Sequence, residues 1–425
     1  MSKTQDSIRS VGLIGATSVV VGSMIGSGIL IVSSKVSYFG SFGLLAWVLS
    51  SLCAMSLAFS FSFMSRKFKD KSGIPYYVYN AFNSHFLGFQ TSWAHWLGMT
   101  IGCCTVSIAF ADYLFFMLPA NIAFLKPFCS IAIVWILTLI NIRSAVFSVG
   151  LITLITFLKV GLLLVLVASA LKYFSISSLC IASKNPSFTL SILKAMPLAL
   201  FAFLGLESAT ASGDSIKNPE RTLPIATLLG TFIASLMFIA VHMSVMSVLP
   251  LETQIMSQAP VADVANITMG GFAVFLVSFM ACFGLIGSIN GLIFVSSYIL
   301  SNASSMGWMP KRFSTLSKTS KFPTISGLYS AGLITITILL HSMNMINMQM
   351  LVYIDAFLLI CIYFLGTLAY KIHGGNNAIF AINISACLVL MYGCGLYQAL
   401  IALTLIASGN IIYYCRRSKF INTSQ

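Results

Sequence analysis

The chain has 425 residues, of which 58% are hydrophobic and only 8% charged, with a mean hydropathy of +0.96. A soluble domain carries roughly 25% charged residues, so a water-facing surface is beyond this composition and a soluble enzyme is excluded. Disorder is excluded by the 33 Phe, 15 Tyr and 5 Trp that must be buried, and a polytopic membrane protein remains.

A membrane-crossing helix needs about 20 mostly apolar residues, and the sequence predicts twelve such spans. Span 1, over residues 11–36, is too long for the apolar region of a cleavable signal peptide and reads as a helix that stays in the protein. Spans 2 to 5 follow at 42–64, 85–117, 124–142 and 146–171. Spans 6 to 10 lie at 193–213, 223–249, 271–303, 323–341 and 348–370. Spans 11 and 12, at 376–393 and 395–415, are separated only by the punctuation of Gly393 and Gly395. The polar stretches 65–75, 214–222 and 305–322 all fall on one side, and no linker divides the chain, so residues 1–425 read as a single membrane domain.

The formal charge of +14 would suggest nucleic acid on a soluble chain. Its placement points elsewhere. With the N-terminus in the cytoplasm, seventeen of the 23 Lys and Arg fall in cytoplasmic segments. Five (Lys35, Lys126, Lys172, Lys184 and Lys194) fall outside, and Lys159 lies within span 5. The long outer loop at about 250–270 carries Glu252 and Asp263 and no Lys or Arg. This is the positive-inside pattern; it predicts both termini in the cytoplasm of a multi-pass protein of the cell inner membrane, and no nucleic-acid partner. The ten Cys lie in apolar stretches without CxxC or Cys/His spacing, which reads as buried thiols and not a metal centre. No GxxxxGK[ST] loop, charged ring, filter-like repeat or clustered set of acids and histidines is present. ATP-driven transport, a channel and a membrane enzyme therefore rank below a carrier, and no cofactor is expected.

Two spans are interrupted. Gly22-Ser23-Met24-Ile25-Gly26-Ser27-Gly28 places three Gly and two Ser in the middle of span 1. Such residues weaken a helix where lipid offers no replacement hydrogen bonds. Gly22 and Gly26 also form a GxxxG pair, so tight helix packing is the plainer reading; the sharper one is an unwound stretch whose amides and carbonyls line a cavity. In span 6, Phe201-Ala202-Phe203-Leu204-Gly205-Leu206-Glu207-Ser208 sets a Gly two residues before an acid at mid-membrane depth. An ionisable residue there is costly and suggests function. Spans 1 and 6 would be matching first helices of two five-helix halves, and paired interruptions at that position point to a transporter site. Half-helix amides suit a carboxylate and half-helix carbonyls an ammonium, as in an amino-acid headgroup.

These residues resemble the amino acid–polyamine–organocation superfamily, especially its basic amino acid/polyamine antiporters of the arginine/agmatine type. The carrying motifs are Gly22–Gly28 followed by Ile29, Phe86-Leu87-Gly88-Phe89-Gln90-Thr91 before Trp96, and the run from Phe203 to Ser208. That run continues through Lys217-Asn218-Pro219-Glu220-Arg221 to Pro224-Ile225-Ala226. The resemblance implies an all-α fold of two inverted five-helix repeats, residues 10–171 and 193–370, plus two further helices over 376–415. It implies an alternating-access exchanger of amino acids or their decarboxylated amines, with proton symport as the alternative and protons as a second partner; it allows a homodimer. By resemblance, Met24, Ile25, Gly26, Ser27, Gly28, Phe201, Ala202 and Leu204 surround the substrate. The amides of Ser27 and Gly28 would hold its carboxylate and the carbonyls of Met24, Phe201 and Leu204 its ammonium. Phe201 falls at an aromatic gate and Glu207 on an acid implicated in proton-linked gating. Two further substrate positions depart from the pattern: Cys103 stands where an amide side chain is usual, and Leu292 replaces a second aromatic gate. Both changes remove groups that would grip a guanidinium. Gly73-Ile74 likewise replaces a Gly-Gly pair.

Lys159 sits about ten residues from either end of span 5, too deep for snorkelling to be the simple account. Relatives in the superfamily often carry Lys here, and it is thought to fill the volume that sodium occupies in sodium-coupled cousins. It would tie span 5 to carbonyls of the interrupted span 1. Asp112 is expected to be solvated at the outer end of span 3, Asp355 to serve either an ion pair or a vestibule, and His95 and His242 to be packing residues.

Overall fold

The computed structural model describes residues 12–26, 28–68, 73–118, 120–143, 149–180, 187–206 and 217–421. Ser27 and Glu207 lie outside the described residues. The helices run in chain order: α1 (Leu13–Met24), α2 (Gly28–Ser37), α3 (Ser41–Lys67), α4 (Ile74–Phe82), α5 (His85–Phe116), α6 (Lys126–Arg143), α7 (Val149–Ala170), α8 (Ile176–Leu179) and α9 (Phe188–Phe201). They continue with α10 (Pro219–Val248), α11 (Leu251–Met256), α12 (Pro260–Met269), α13 (Gly271–Ser305), α14 (Thr324–Ser342), α15 (Met348–Ile372), α16 (Asn377–Gly393) and α17 (Leu396–Ile421). No strand occurs among the described residues; Leu316 and Pro323 form an isolated bridge.

Nine of these helices (α3, α5, α6, α7, α10, α13, α14, α15 and α17) are long and apolar enough to cross a membrane. The α1–α2 pair, bent by 41°, supplies a tenth crossing. The shorter apolar helices α9 and α16 stand at the expected spans 6 and 11. The chain is thus an all-α polytopic membrane protein. Short polar side chains set several starts by accepting free first-turn amides. Ser84 Oγ takes the Leu87 N–H at 3.3 Å, Asn347 Oδ1 that of Met350 at 2.8 Å and Asn376 Oδ1 that of Ala378 at 2.8 Å. Ser187 Oγ does the same for Leu190 at 3.4 Å, so the helix of span 6 begins at Phe188 and not near 193. The stretch after span 7 holds α11 and α12, the latter with Pro260 in its first turn.

The centre of the bundle is set by α5 and α15, whose most apolar windows are 83% and 78% buried, against 11% for α17. Exposed apolar side chains such as Phe157, Leu164 and Phe272 point outward, where lipid takes the place of water. Without a hydrophobic force between helices in lipid, packing and polar contacts hold them together. Ser50 Oγ donates to the Met196 carbonyl at 2.9 Å, joining α3 to α9. Asn141 Nδ2 donates to Asn290 Oδ1 at 2.7 Å, joining α6 to α13, and Trp96 Nε1 donates to Ser330 Oγ at 2.9 Å, joining α5 to α14. Asp112, expected in solvent, instead pairs with Lys126 at 2.7 Å, and Lys126 also reaches Gln258 Oε1 at 2.7 Å. His242 is buried beside the Trp47 ring, 6.0 Å between centroids.

Candidate functional site

Span 1 breaks where its small residues stand. Ile25 leaves the helix at φ −78°, ψ 94° while its N–H still bonds the Val21 carbonyl at 2.8 Å. The last carbonyls of any helix lack intrahelical partners. Here two of them are taken by a side chain from α7: Lys159 Nζ donates to the Gly22 carbonyl at 3.0 Å and to the Ile25 carbonyl at 2.7 Å. Lys159 is buried, and a buried ammonium must be hydrogen-bonded to be tolerated. The C-terminal end of a helix carries partial negative charge that suits a cation. The aliphatic stem of Lys159 passes over Gly284 of α13, where a Cβ would sit 2.6 Å from its Cδ. Gly26 faces Ser288 Oγ closely, with the Lys159 ammonium 3.5 Å from where a Cβ would stand.

Span 6 unwinds just past Phe201. The next amides form tight i→i−3 bonds: Ala202 to Ala199 at 3.1 Å, Phe203 to Leu200 at 2.9 Å and Leu204 to Phe201 at 3.1 Å. Gly205 then turns with φ +97°, a left-handed conformation open to glycine at little strain. The two breaks touch through backbone. A Cβ at Gly28 would collide with the Cα and Cβ of Ala202, and a Cβ at Gly205 would lie 2.9 Å from Ser23 Oγ. Ser23 Oγ lies 2.8 Å from the Val20 carbonyl and 3.2 Å from that of Gly205.

Met24, Ile25, Gly26, Gly28, Phe201, Ala202 and Leu204 are therefore brought to one crossing, all buried. The Phe201 carbonyl already accepts the Leu204 amide, which leaves one of its two acceptor positions. Cys103 lies one helix away on α5, its thiol donating to the Ile289 carbonyl of α13 at 3.9 Å. Leu292 is buried on α13, three residues beyond Ile289. A small cleft of about 30 Å³ lies beside the span 1 break, bounded by Ile25, Gly26, Lys159, Val261, Met280 and Gly284.

Sequence reasoning named Ser23 within the span 1 interruption but missed other residues that let these elements approach: Gly98, Gly102, Gly284 and Ser288. Two of the pairs carry a readable signal, since Gly98/Gly102 and Gly284/Ser288 are small residues four apart on apolar helices. Asp355 was recognised as polar within span 10 but not as a neighbour of the crossing. It is fully buried, its carboxylate set against Gly98 and Gly102.

An all-α membrane bundle with two interrupted helices meeting through backbone at its centre belongs to the class of secondary transporters. The chain is a member of the amino acid permease family, whose model matches residues 11–415. It is 32% identical over 321 residues to the cadaverine/lysine antiporter of Escherichia coli (strain K12), covering 72% of this chain and 69% of that protein. It is 26% identical over 326 residues to the putrescine transporter PotE of the same strain, covering 74% and 72%. The putrescine transporter PotE of Haemophilus influenzae is 26% identical over 347 residues, covering 78% and 75%.

Proposed function

We propose that this chain exchanges a cationic amino acid for a decarboxylated amine across the cell inner membrane by alternating access. The observation that carries this reading is Lys159 on the Gly22 and Ile25 carbonyls. A protein ammonium stands at the helix end where a coupling ion would otherwise bind, so no sodium is needed to complete the site. The similarity to a cadaverine/lysine antiporter and to putrescine transporters supports exchange over symport and an amine or diamino acid as substrate. In this reading the amides of Ser27 and Gly28 receive a carboxylate, and the carbonyls of Met24, Phe201 and Leu204 receive the neighbouring ammonium. Phe201 lies over the ligand, Cys103 and Leu292 line it, and Glu207 links proton movement to gating. Residues 10–171 and 193–370 act as two inverted halves, and the loop charges support cytoplasmic termini.

Counterflow in proteoliposomes tests this. Vesicles loaded with unlabelled lysine are challenged with labelled lysine, cadaverine, ornithine, putrescine, arginine and agmatine. Accumulation of at least one diamino acid or diamine, dependent on the internal load and independent of sodium, is expected. Uptake that ignores the internal load overturns exchange.

A further inference from the structure

The loop between α13 and α14 folds into a fixed shape. It opens with a 3₁₀ turn over Lys311–Ser314 and then doubles back as a short hairpin. The Ser317 N–H donates to the Phe322 carbonyl at 2.8 Å and the Thr324 N–H to that of Thr315 at 3.1 Å, while Lys321 takes a left-handed turn position at φ +60°. Side chains pin this hairpin to three helices. Ser317 Oγ and Ser320 Oγ both donate to the Ile142 carbonyl near the end of α6, at 2.7 and 2.9 Å. Phe322 is buried against Gly327 of α14. The Tyr298 hydroxyl of α13 donates to the Lys321 carbonyl at 3.2 Å. The scaffold presents cations and no acid. Lys318 and Lys321 stand at the hairpin turn, Lys311 and Arg312 in the 3₁₀ turn, and Arg143 directly after Ile142, all exposed. The sequence holds no Asp or Glu between Asp263 and Asp355. Loop charge alone orients a chain in the membrane, but that role needs no hydrogen-bonded backbone to carry the charges.

A second feature sets the depth of these cations. Phe294 and Tyr298 lie one turn apart on α13 with ring centroids 4.4 Å apart, and Phe294 is 44% exposed on a membrane-crossing helix, where lipid stands. A Tyr with an apolar body and a polar tip suits the headgroup level of a bilayer. The bond from Tyr298 to Lys321 therefore holds a basic turn at headgroup depth, beside a wall that acyl chains cover. We propose that the hairpin and the Phe294–Tyr298 wall form a binding site for an anionic phospholipid of the leaflet on that side. The lipid phosphate is received by the Lys318 and Lys321 ammonium groups and the Arg143 guanidinium through charge-assisted bonds, and an acyl chain lies over Phe294. A zwitterionic lipid carries its own cation next to the phosphate and gains less from the same groups. Bound lipid bridges the hairpin, α6 and α13, so it stabilises the contact that Ser317 and Ser320 make with Ile142. Juxtamembrane cations attract anionic lipid additively and in a salt-dependent way. The site is independent of which substrate the chain carries.

The test titrates the purified full chain, in neutral detergent, with phosphatidylglycerol or with phosphatidylcholine of the same acyl chains, and follows bound lipid by native mass spectrometry and stability by thermal melting. Phosphatidylglycerol should bind saturably, raise the melting temperature and exceed phosphatidylcholine in apparent affinity by tenfold or more. The double variant Lys318→Gln/Lys321→Gln changes only exposed side chains, so it should fold, and it should weaken phosphatidylglycerol binding by tenfold or more while leaving phosphatidylcholine within twofold. Lys371→Gln, which removes a cation from the separate turn between α15 and α16, should leave both lipids within twofold. Equal binding of the two lipids by the wild type overturns the proposal. So does a double variant that binds phosphatidylglycerol as the wild type does, and so does a Lys371→Gln protein weakened as much as the double variant, which makes the attraction diffuse. Stabilisation by inorganic phosphate alone to the same extent as by phosphatidylglycerol overturns the lipid as the occupant.

Discussion

Replacing Lys159 separates charge from volume at the span 1 break. Lys159→Met keeps most of the stem that lies over Gly284 but removes the ammonium from the Gly22 and Ile25 carbonyls. Two buried acceptors then lack a donor, and an unsatisfied buried acceptor costs about 1–3 kcal/mol. The variant no longer has to desolvate a charge, which offsets part of that loss. Taking about 1–1.5 kcal/mol for each carbonyl gives a net of about 2–3 kcal/mol, a roughly 30- to 140-fold shift against conformations that need α1 and α7 tied together. Counterflow should fall at least tenfold and the melting temperature in detergent should drop. Lys159→Ala should be worse, because it also empties the space over Gly284. Lys159→Met with the wild-type counterflow rate and melting temperature would refute the reasoning, showing that water or another donor satisfies the same carbonyls.

Gly28→Ala should abolish transport with normal membrane insertion, since even one methyl collides with the Ala202 backbone; uptake by a correctly inserted variant would place the closed contact outside the transport cycle. Phe201→Ala should raise the half-saturating substrate concentration several-fold, the scale of an aromatic–cation contact of about 0.5–2 kcal/mol. An unchanged concentration dependence with a lowered melting temperature would mark the ring as packing. Gly205→Ala should destabilise the protein, because a side chain at φ +97° is strained and meets Ser23; a thermal melt identical to wild type would contradict that. Replacing sodium with choline should leave uptake unchanged, whereas a sodium requirement would remove Lys159 from its role as the built-in cation.

The fold was legible because membrane spans are written in composition. Apolar runs and the Gly/Ser interruptions marked each crossing, including the bend between Met24 and Gly28, and α10, α13 and α15 end within a few residues of their expected limits. Where the reading slipped, local chemistry was the reason. Ser187 caps span 6 several residues early, and α11 and α12 are too short and polar to stand out by hydropathy. Asp112 reads as solvated until Lys126, fourteen residues away on the next helix, is seen beside it. The site was legible as motifs but not as neighbours. Nothing local in Gly98 or Gly102 says that the side chain they admit is Asp355, more than 250 residues later, because glycine records only that something approaches.

The crossing of Gly28 with Ala202, and of Ser23 with Gly205, is made largely from main chain, which every residue shares. Apart from the Ser23 hydroxyl, substitution cannot change the donors and acceptors offered there; it can only obstruct them, as a methyl at Gly28 would. Under the proposed reading, divergence toward new substrates falls to side chains on other helices, such as Cys103 on α5 and Leu292 on α13. In that reading a lineage retunes what the carrier accepts through a few such positions while the main-chain crossing itself stays largely out of mutation's reach.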